Sequence, residues 1–299
     1  MPSGTAAFLK RSVHMGVSGR TRVCAVIGDP IEHSMSPAIH NAAFAEKGLD
    51  YVYVAFRVED VASAMAGVRG LGIAGVSVTV PHKLAVIEYL DEVDGQAEAV
   101  GSVNTIVNRG GRLCGYTSDG RGAMLALRGG GVEPRGARVC MIGSGGAARA
   151  IAFALGGEGA ASLRILGIVP DELRALVSDV SAAASLAVEG LDSTESSIEA
   201  ALAESDLLIN CTPVGMHPKV DASVVPARLH RPGLAVFDVV YNPARTRLLR
   251  EAEAAGAATV SGVEMFVQQA VVQFELWTGQ SAPVDVMRGV VVRELGARS

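Results

Sequence analysis

Short apolar runs alternate with longer stretches whose apolar residues fall at helical spacing, from Val23 almost to the end of the chain. The first run, Val23–Ile27, predicts a strand closed by Gly28. A loop follows, Asp29-Pro30-Ile31-Glu32-His33-Ser34-Met35, and Ser36-Pro37 then opens a helix. Ser36 suits the N-cap and Pro37 the first helical position; Gly48 marks the end. Tyr51–Phe56 is nearly all apolar, which predicts a strand buried on both faces. After Asp60, the residues Val61, Met65 and Val68 share one helical face. Gly75-Val76-Ser77-Val78-Thr79-Val80 has a period of two, so the valines face the core and Ser77 and Thr79 share the opposite face. Pro81 ends that strand, and Lys83 lies at the start of the next helix. Asn104–Val107 and Leu113–Tyr116, joined through Arg109-Gly110-Gly111-Arg112, predict a hairpin.

Gly129-Gly130-Gly131 ends a further helix and leads into a second alternating unit. Arg138–Ile142 predicts a strand, Gly143-Ser144-Gly145-Gly146-Ala147-Ala148 a glycine-rich turn, and the following residues to about Leu155 a helix of small side chains. Further strands are expected at Leu163–Leu166, Leu207–Asn210 and Ala235–Val239, and two terminal helices at about Glu264–Trp277 and Val284–Leu295. The Ala/Ser-rich stretch Ser181–Ser197 carries no usable pattern. Regular helix–strand alternation predicts an α/β protein.

Composition narrows the function classes. Of 299 residues, 49% are hydrophobic and only 4% aromatic, so aliphatic side chains must build a large core. The net charge of -5 and the lack of basic runs argue against nucleic-acid or anionic-membrane partners. No apolar run approaches the ~18 residues of a membrane span. Residues 1–20 carry Lys10, Arg11 and Arg20 without a long apolar segment, and are expected to be a polar, partly disordered tail rather than a signal peptide. Cys24, Cys114, Cys140 and Cys211 show no metal-ligand spacing and no His pair marks a site. Reduced, buried thiols in a cytoplasmic, metal-free protein are expected.

Three constellations carry candidate chemistry. The turn at Gly143 follows a strand and opens a helix, the setting in which a backbone approaches a dinucleotide pyrophosphate; a tight structural turn is the other reading. Lys83 follows the strand with Ser77 and Thr79 on its polar face, and Asp119 lies just past another strand end. Ligands in open α/β sheets bind outside the carboxyl ends of strands. The two residues can therefore face one cleft as an acid–base pair, or be solvated surface charges. Ser34 and Ser36 can hold a carboxylate near a helix start, or serve only as loop hydroxyl and cap.

Seven ordered segments together resemble the shikimate/quinate dehydrogenase family from about Val23 to Gly279. They are Ile27–Pro37 (IGDPIEHSMSP), Val78–Lys83 (VTVPHK), Gly101–Thr105 (GSVNT), Ser118-Asp119-Gly120, Gly143–Ala147 (GSGGA), Phe237–Pro243 (FDVVYNP) and Gly262–Ala270 (GVEMFVQQA). The resemblance implies two domains, an N-terminal α/β substrate domain over 21–120 and a Rossmann-like dinucleotide-binding domain over 121–264. The C-terminal helices, 265–299, would pack back on the first domain. It implies reversible oxidation of shikimate to 3-dehydroshikimate in aromatic amino-acid biosynthesis, with Lys83 and Asp119 catalytic. Ser34 and Ser36 would hold the carboxylate, and Thr79, Asn104, Gln269 and Tyr241 would complete the substrate site. Gly143, Ser144, Gly145, Gly146 and Ala147 would hold the cofactor pyrophosphate, with Val239 and Gly262 near the nicotinamide. NADP is the family's default cofactor. A homodimer is compatible with this reading; an NAD-dependent quinate/shikimate dehydrogenase and a non-catalytic ligand-sensing paralogue are its rivals.

The chain departs from the family pattern in three places. Ser77 stands where Asn is usual, and Thr117-Ser118 where Asn-Thr is usual, so two pocket amides are missing. The Asn-Arg-Thr segment that NADP-using members commonly carry is replaced by Gly167-Ile168-Val169-Pro170-Asp171-Glu172. Asp171 or Glu172 could accept from a ribose 2′-hydroxyl, which keeps NAD open, and Arg149 or Arg174 could meet a 2′-phosphate by another route.

Overall fold

A computed structural model describes residues 16–298. Of the expected polar tail, residues 1–15 lie outside the described residues, and 16–20 are exposed. Two six-stranded sheets dominate the fold. The first is built from β1 (Arg22–Gly28), β2 (Tyr51–Arg57), β3 (Gly75–Val78), β4 (Glu92–Val93), β5 (Thr105–Arg109) and β6 (Arg112–Tyr116), in the order β2-β1-β3-β5-β6-β4. Helices α1 (Ser36–Glu46), α2 (Val61–Gly70) and α3 (Gly95–Val100) connect them. Asp60 and Asp94 cap α2 and α3 by accepting from Ala62 N and Gln96 N. The β5–β6 pair is the expected antiparallel hairpin, turned by Gly110 and Gly111 at positive φ.

After α4 (Asp119–Gly129) comes the second sheet: β7 (Arg138–Ile142), β8 (Ser162–Gly167), β9 (Ala187–Asp192), β10 (Leu207–Asn210), β11 (Ala235–Asp238) and β12 (Ala258–Ser261). Its helices are α5 (Gly146–Glu158), α6 (Pro170–Ala183), α7 (Glu195–Ala203) and α8 (Arg247–Ala254). All its pairings are parallel, in the order β12-β11-β10-β7-β8-β9. This is the doubly wound Rossmann arrangement, with its topological switch between β7 and β10. The final helices, α9 (Gly262–Thr278) and α10 (Val284–Arg298), leave this sheet and cover the first one. Val267, Val271, Phe274, Trp277, Met287 and Val291 pack there with Ile39, Phe44 and Tyr53. Among the described residues no helix is long and apolar enough to cross a membrane.

Several local expectations need correction. Tyr51–Phe56 is an edge strand: β2 pairs only with β1, so Phe56 is 43% exposed instead of buried. Val80 is also exposed, because β3 ends at Val78 and the alternation stops with it. The expected helix after Pro81 is a short 3-10 helix at Ala85–Tyr89, and Lys83 lies in the turn before it. Ser36 is the first residue of α1 and not its cap; Met35 holds the cap position, and no side chain caps the helix. Strand β9, within the unreadable Ser181–Ser197 stretch, and strands β4 and β12 were not expected. They are edge strands whose backbones pair while most of their side chains are exposed or partly buried, with Val260 of β12 alone among them buried in the core. The four cysteines are free thiols; Cys24, Cys114 and Cys140 are buried. Burial pushes the Cys24 and Cys140 thiols up to about 12.

The seating of α9 on the first sheet rests on Gly75. A Cβ there would lie 2.3 Å from the Trp277 ring. Trp277 cannot easily yield, because its indole Nε1 donates to Ile106 O at 3.0 Å and the ring is buried. Gly75→Ala is expected to destabilise the protein by about 2 kcal/mol, the typical cost of overpacking a closed core. Urea unfolding should show a lower midpoint at similar slope; an unchanged midpoint would show that α9 is not seated here.

Candidate active site

The carboxyl ends of both sheets open on one cavity of about 350 Å3. From the first sheet, the loop after β1 brings Ser34 and Ser36, and the β3 end brings Thr79 and Lys83. Asn104 precedes β5, and Asp119 starts α4. From the second sheet come Ala147 of α5 and Val239 and Tyr241 beyond β11. Gly262 and Gln269 come from α9. Every residue expected at the substrate site therefore lines this cavity, as do Ala147, Val239 and Gly262. Gly143, Ser144, Gly145 and Gly146 lie on the turn leading to its edge and do not line it.

Lys83 Nζ donates to Asp119 Oδ2 at 2.6 Å, with side chains 25% and 15% exposed. The pair is thus recessed but reachable, unlike the solvated surface charges that the sequence also allowed. Asn104 Nδ2 donates to the other carboxylate oxygen of Asp119 at 2.7 Å and to Ser118 Oγ at 2.9 Å. Asn104 Oδ1 accepts from Ser118 N and Thr105 Oγ1, both at 2.8 Å. That amide is therefore locked, and it aims Asp119 at the lysine. Backbone contacts fix the lysine's own turn: Val103 N donates to Lys83 O at 2.9 Å, and His82 Nε2 donates to Val58 O at 2.8 Å. Ser36 N donates to Ser34 Oγ at 3.3 Å, which keeps the two serines side by side at the start of α1.

The far wall is held by a buried carboxyl. Asp238, at the end of β11, accepts from Asn210 Nδ2 (2.9 Å), Thr246 Oγ1 (2.6 Å) and Val240 N (3.1 Å). Burial pushes its carboxyl up from the usual range, and these donors oppose that push. The contacts fix the bend carrying Val239 and Tyr241, whose ring stacks on Phe266 with centroids 4.8 Å apart. Phe266, Met265, His33 and Gln273 also line the cavity and were not expected there, and Ser77 lines it at the position of the missing amide. Gln273 was detectable, since it lies four positions after Gln269 on the same helical face.

The glycine-rich turn fits a dinucleotide. Gly143 has φ +112°, and a Cβ there would lie 3.1 Å from the Cys211 carbonyl, so no side chain is tolerated. Around Gly145 and Gly146 an added Cβ would meet nothing within 4 Å. Helix α5 starts here with no side-chain cap and no acid in its first turn. Its unpaired first-turn N–H groups and positive dipole end suit a pyrophosphate. Of the arginines considered for a 2′-phosphate, Arg149 is held by partly buried contacts, and Arg174 makes only an exposed surface pair. Arg174 pairs with Asp171, whereas Arg149 bonds Val100 O and pairs with Asp179 at 2.8 Å. Ile168 and Val169, exposed after β8, offer no charge.

This geometry has counterparts among known proteins. The family model for the shikimate dehydrogenase substrate binding domain matches residues 26–106, and that for the shikimate 5'-dehydrogenase C-terminal domain matches 262–292. A shikimate dehydrogenase (NADP(+)) of Methanopyrus kandleri is 46% identical over 290 residues, covering 95% of this chain and 99% of that protein. The shikimate 5-dehydrogenase of Listeria monocytogenes, solved with shikimate and NAD, superposes with a TM-score of 0.89. It is 36% identical, over 92% of this chain and 98% of that one. The Thermus thermophilus enzyme, solved with NADP(H) and shikimate, gives a TM-score of 0.82 at 34% identity, over 92% and 100% of the two chains. Two sheets meeting at one cavity that holds the Lys83–Asp119 pair, and relatives matched along nearly their whole length, make this chain a member of the shikimate dehydrogenase family.

Proposed function

We propose that the chain is an NAD(P)-dependent shikimate dehydrogenase, interconverting shikimate and 3-dehydroshikimate. The observation that carries this reading is the Lys83–Asp119 pair, which lines one cavity together with the two serines, Val239 and Gly262. Oxidising a secondary alcohol removes two things from one carbinol: the hydroxyl proton and a hydride from carbon. Bound nicotinamide supplies the hydride acceptor. Lys83 and Asp119 take the hydroxyl proton as a hydrogen-bonded unit, and in the reverse direction Lys83 Nζ returns a proton to the ketone oxygen. Ser34 and Ser36 hold the substrate carboxylate at the start of α1. Thr79, Asn104 and Gln269 bind ring hydroxyls, and Tyr241, braced by Phe266, closes the side facing the second sheet. Gly143, Ser144, Gly145, Gly146 and Ala147 carry the pyrophosphate, while Val239 and Gly262 lie along the nicotinamide end. NADP is the proposed cofactor, by likeness to the Methanopyrus kandleri relative. NAD is its competitor, because the Gly167–Glu172 segment after β8 carries no arginine.

Lys83→Met keeps much of the stem and removes the proton acceptor. A drop in kcat of about 10²-fold or more is expected, within the ~10²–10⁴-fold range of general acid–base groups. Cofactor affinity should stay near that of the parent and shikimate KM should rise less than kcat falls. Near-parent turnover in the folded variant would refute the mechanism. For the cofactor, kcat/KM ratios for NADP over NAD at saturating shikimate should stay below about 10²-fold, or ~2.7 kcal/mol. A preference on the order of 10⁴-fold, or ~5.5 kcal/mol, would require a phosphate ligand other than those considered.

A further inference from the structure

Along the cavity wall runs a chain of buried side chains that ends on Asp119. The Tyr53 hydroxyl donates to Ser77 Oγ at 2.6 Å, and Ser77 Oγ donates to Gln273 Oε1 at 2.8 Å. Gln273 Nε2 donates to Thr105 Oγ1 at 3.1 Å and to Asn104 O at 3.2 Å. Thr105 Oγ1 then donates to Asn104 Oδ1, and Asn104 Nδ2 donates to Asp119. Tyr53, Ser77, Gln273, Thr105 and Asn104 are all buried.

The polarity of this chain is set by groups that play a single role, the Asn104 carbonyl that only accepts and the Ser118 N–H that only donates. Burial raises the Tyr53 phenol far above its usual range, so it stays protonated. Its ring is stacked on buried His40, with centroids 4.5 Å apart. With Tyr53 as donor, Ser77 spends its own hydrogen on Gln273. The Asn104 carbonyl holds the glutamine NH2 on its own side, beside Thr105, and so turns the glutamine oxygen towards Ser77. Thr105 then donates to Asn104 Oδ1 beside the Ser118 N–H, and the two donors together keep the Asn104 NH2 facing Asp119. An unmade bond at any buried link would leave a desolvated polar group unpaired, so the arrangement holds as a unit.

We propose that Gln273 is a positioning residue for the reaction, the junction through which Tyr53 and Ser77 orient Asn104 and so hold Asp119 on Lys83. Its amide comes from α9, four residues beyond Gln269 on the same face. Ser77, standing where an amide is usual in the family, faces Thr105 across the β3–β5 pair, and Gln273 bonds both of them. The catalytic consequence rests on the shikimate dehydrogenase reading, whereas the orientation of Asn104 does not.

The test uses Gln273→Leu, which keeps the approximate volume and removes both ends of the junction, with Tyr53→Phe as the milder variant. Two readouts are taken: steady-state shikimate oxidation, and the Asn104 side-chain NH2 resonances in 1H–15N spectra, assigned by their loss in Asn104→Asp. For Gln273→Leu the expected kcat loss is about 10-fold or more, below the ~10²–10⁴-fold worth of a whole acid–base group. Shikimate KM should move less than about threefold, and the Asn104 NH2 resonances should shift and exchange faster with solvent. Tyr53→Phe should do the same more weakly, and it decides the matter if Gln273→Leu fails to fold. Unchanged kcat and unchanged Asn104 resonances in the folded variants overturn the proposal, even if thermal stability falls. A KM rise matching the kcat loss also overturns it, by making Gln273 a direct substrate contact. If the parent does not turn over shikimate, the proposed function falls and the Asn104 resonances alone decide whether the junction exists.

Discussion

Helix α9 belongs to both halves of the molecule, and its close backbone contacts leave little room for adjustment. At its start, a Cβ on Gly262 would lie 2.3 Å from Val239 O. Midway, a Cβ on Gly122 of α4 would lie 2.8 Å from Gln269 N. At its end, Trp277 closes over Gly75. Three glycines thus let one helix run from the tip of the second sheet to the face of the first. Because interiors are close-packed, such contacts admit one seating and not a range of them. That seating fixes the distance from the Val239 wall to Lys83, and with it the space in which a proton and a hydride leave one carbon.

Electrostatics completes what packing sets. A carboxylate and an ammonium recessed in a cavity are costly unless each has partners. Asp119 has Lys83 on one oxygen and Asn104 on the other. Asp238 is shielded more deeply and spends its partners on backbone shape rather than on ligand. The two acids illustrate a division of labour: one is left accessible for proton exchange, and the other is closed off to hold the bend that carries Tyr241.

Much of this was legible in the sequence where residues announce their backbone setting. Gly143 demands positive φ after a strand, Gly110-Gly111 turns a hairpin, and the alternation through Ser77 predicts that its hydroxyl avoids the valine face. Lys83 and Asp119 could be brought to one cleft because strand ends in open sheets share an edge. The unread parts are those where side chains carry no signal. Strand β9, Ala187-Val188-Glu189-Gly190-Leu191-Asp192, is held by backbone pairing to β8 at an exposed edge. Gln273 looks like a polar interruption in an apolar helix, because its partners Ser77 and Thr105 lie 196 and 168 positions away. Ser36 resembled a cap since local pattern cannot distinguish a cap from a first-turn serine that lines a cavity.

The most direct measurement of the central claim is a crystal structure with shikimate and oxidised nicotinamide cofactor bound together. The account predicts the substrate carboxylate on Ser34 and Ser36, and the reacting hydroxyl within about 3 Å of Lys83 Nζ. The carbinol hydrogen should point towards the Val239–Gly262 wall. A substrate bound in the reverse sense, with its carboxylate on Lys83 and its reacting carbon turned away from that wall, would contradict it.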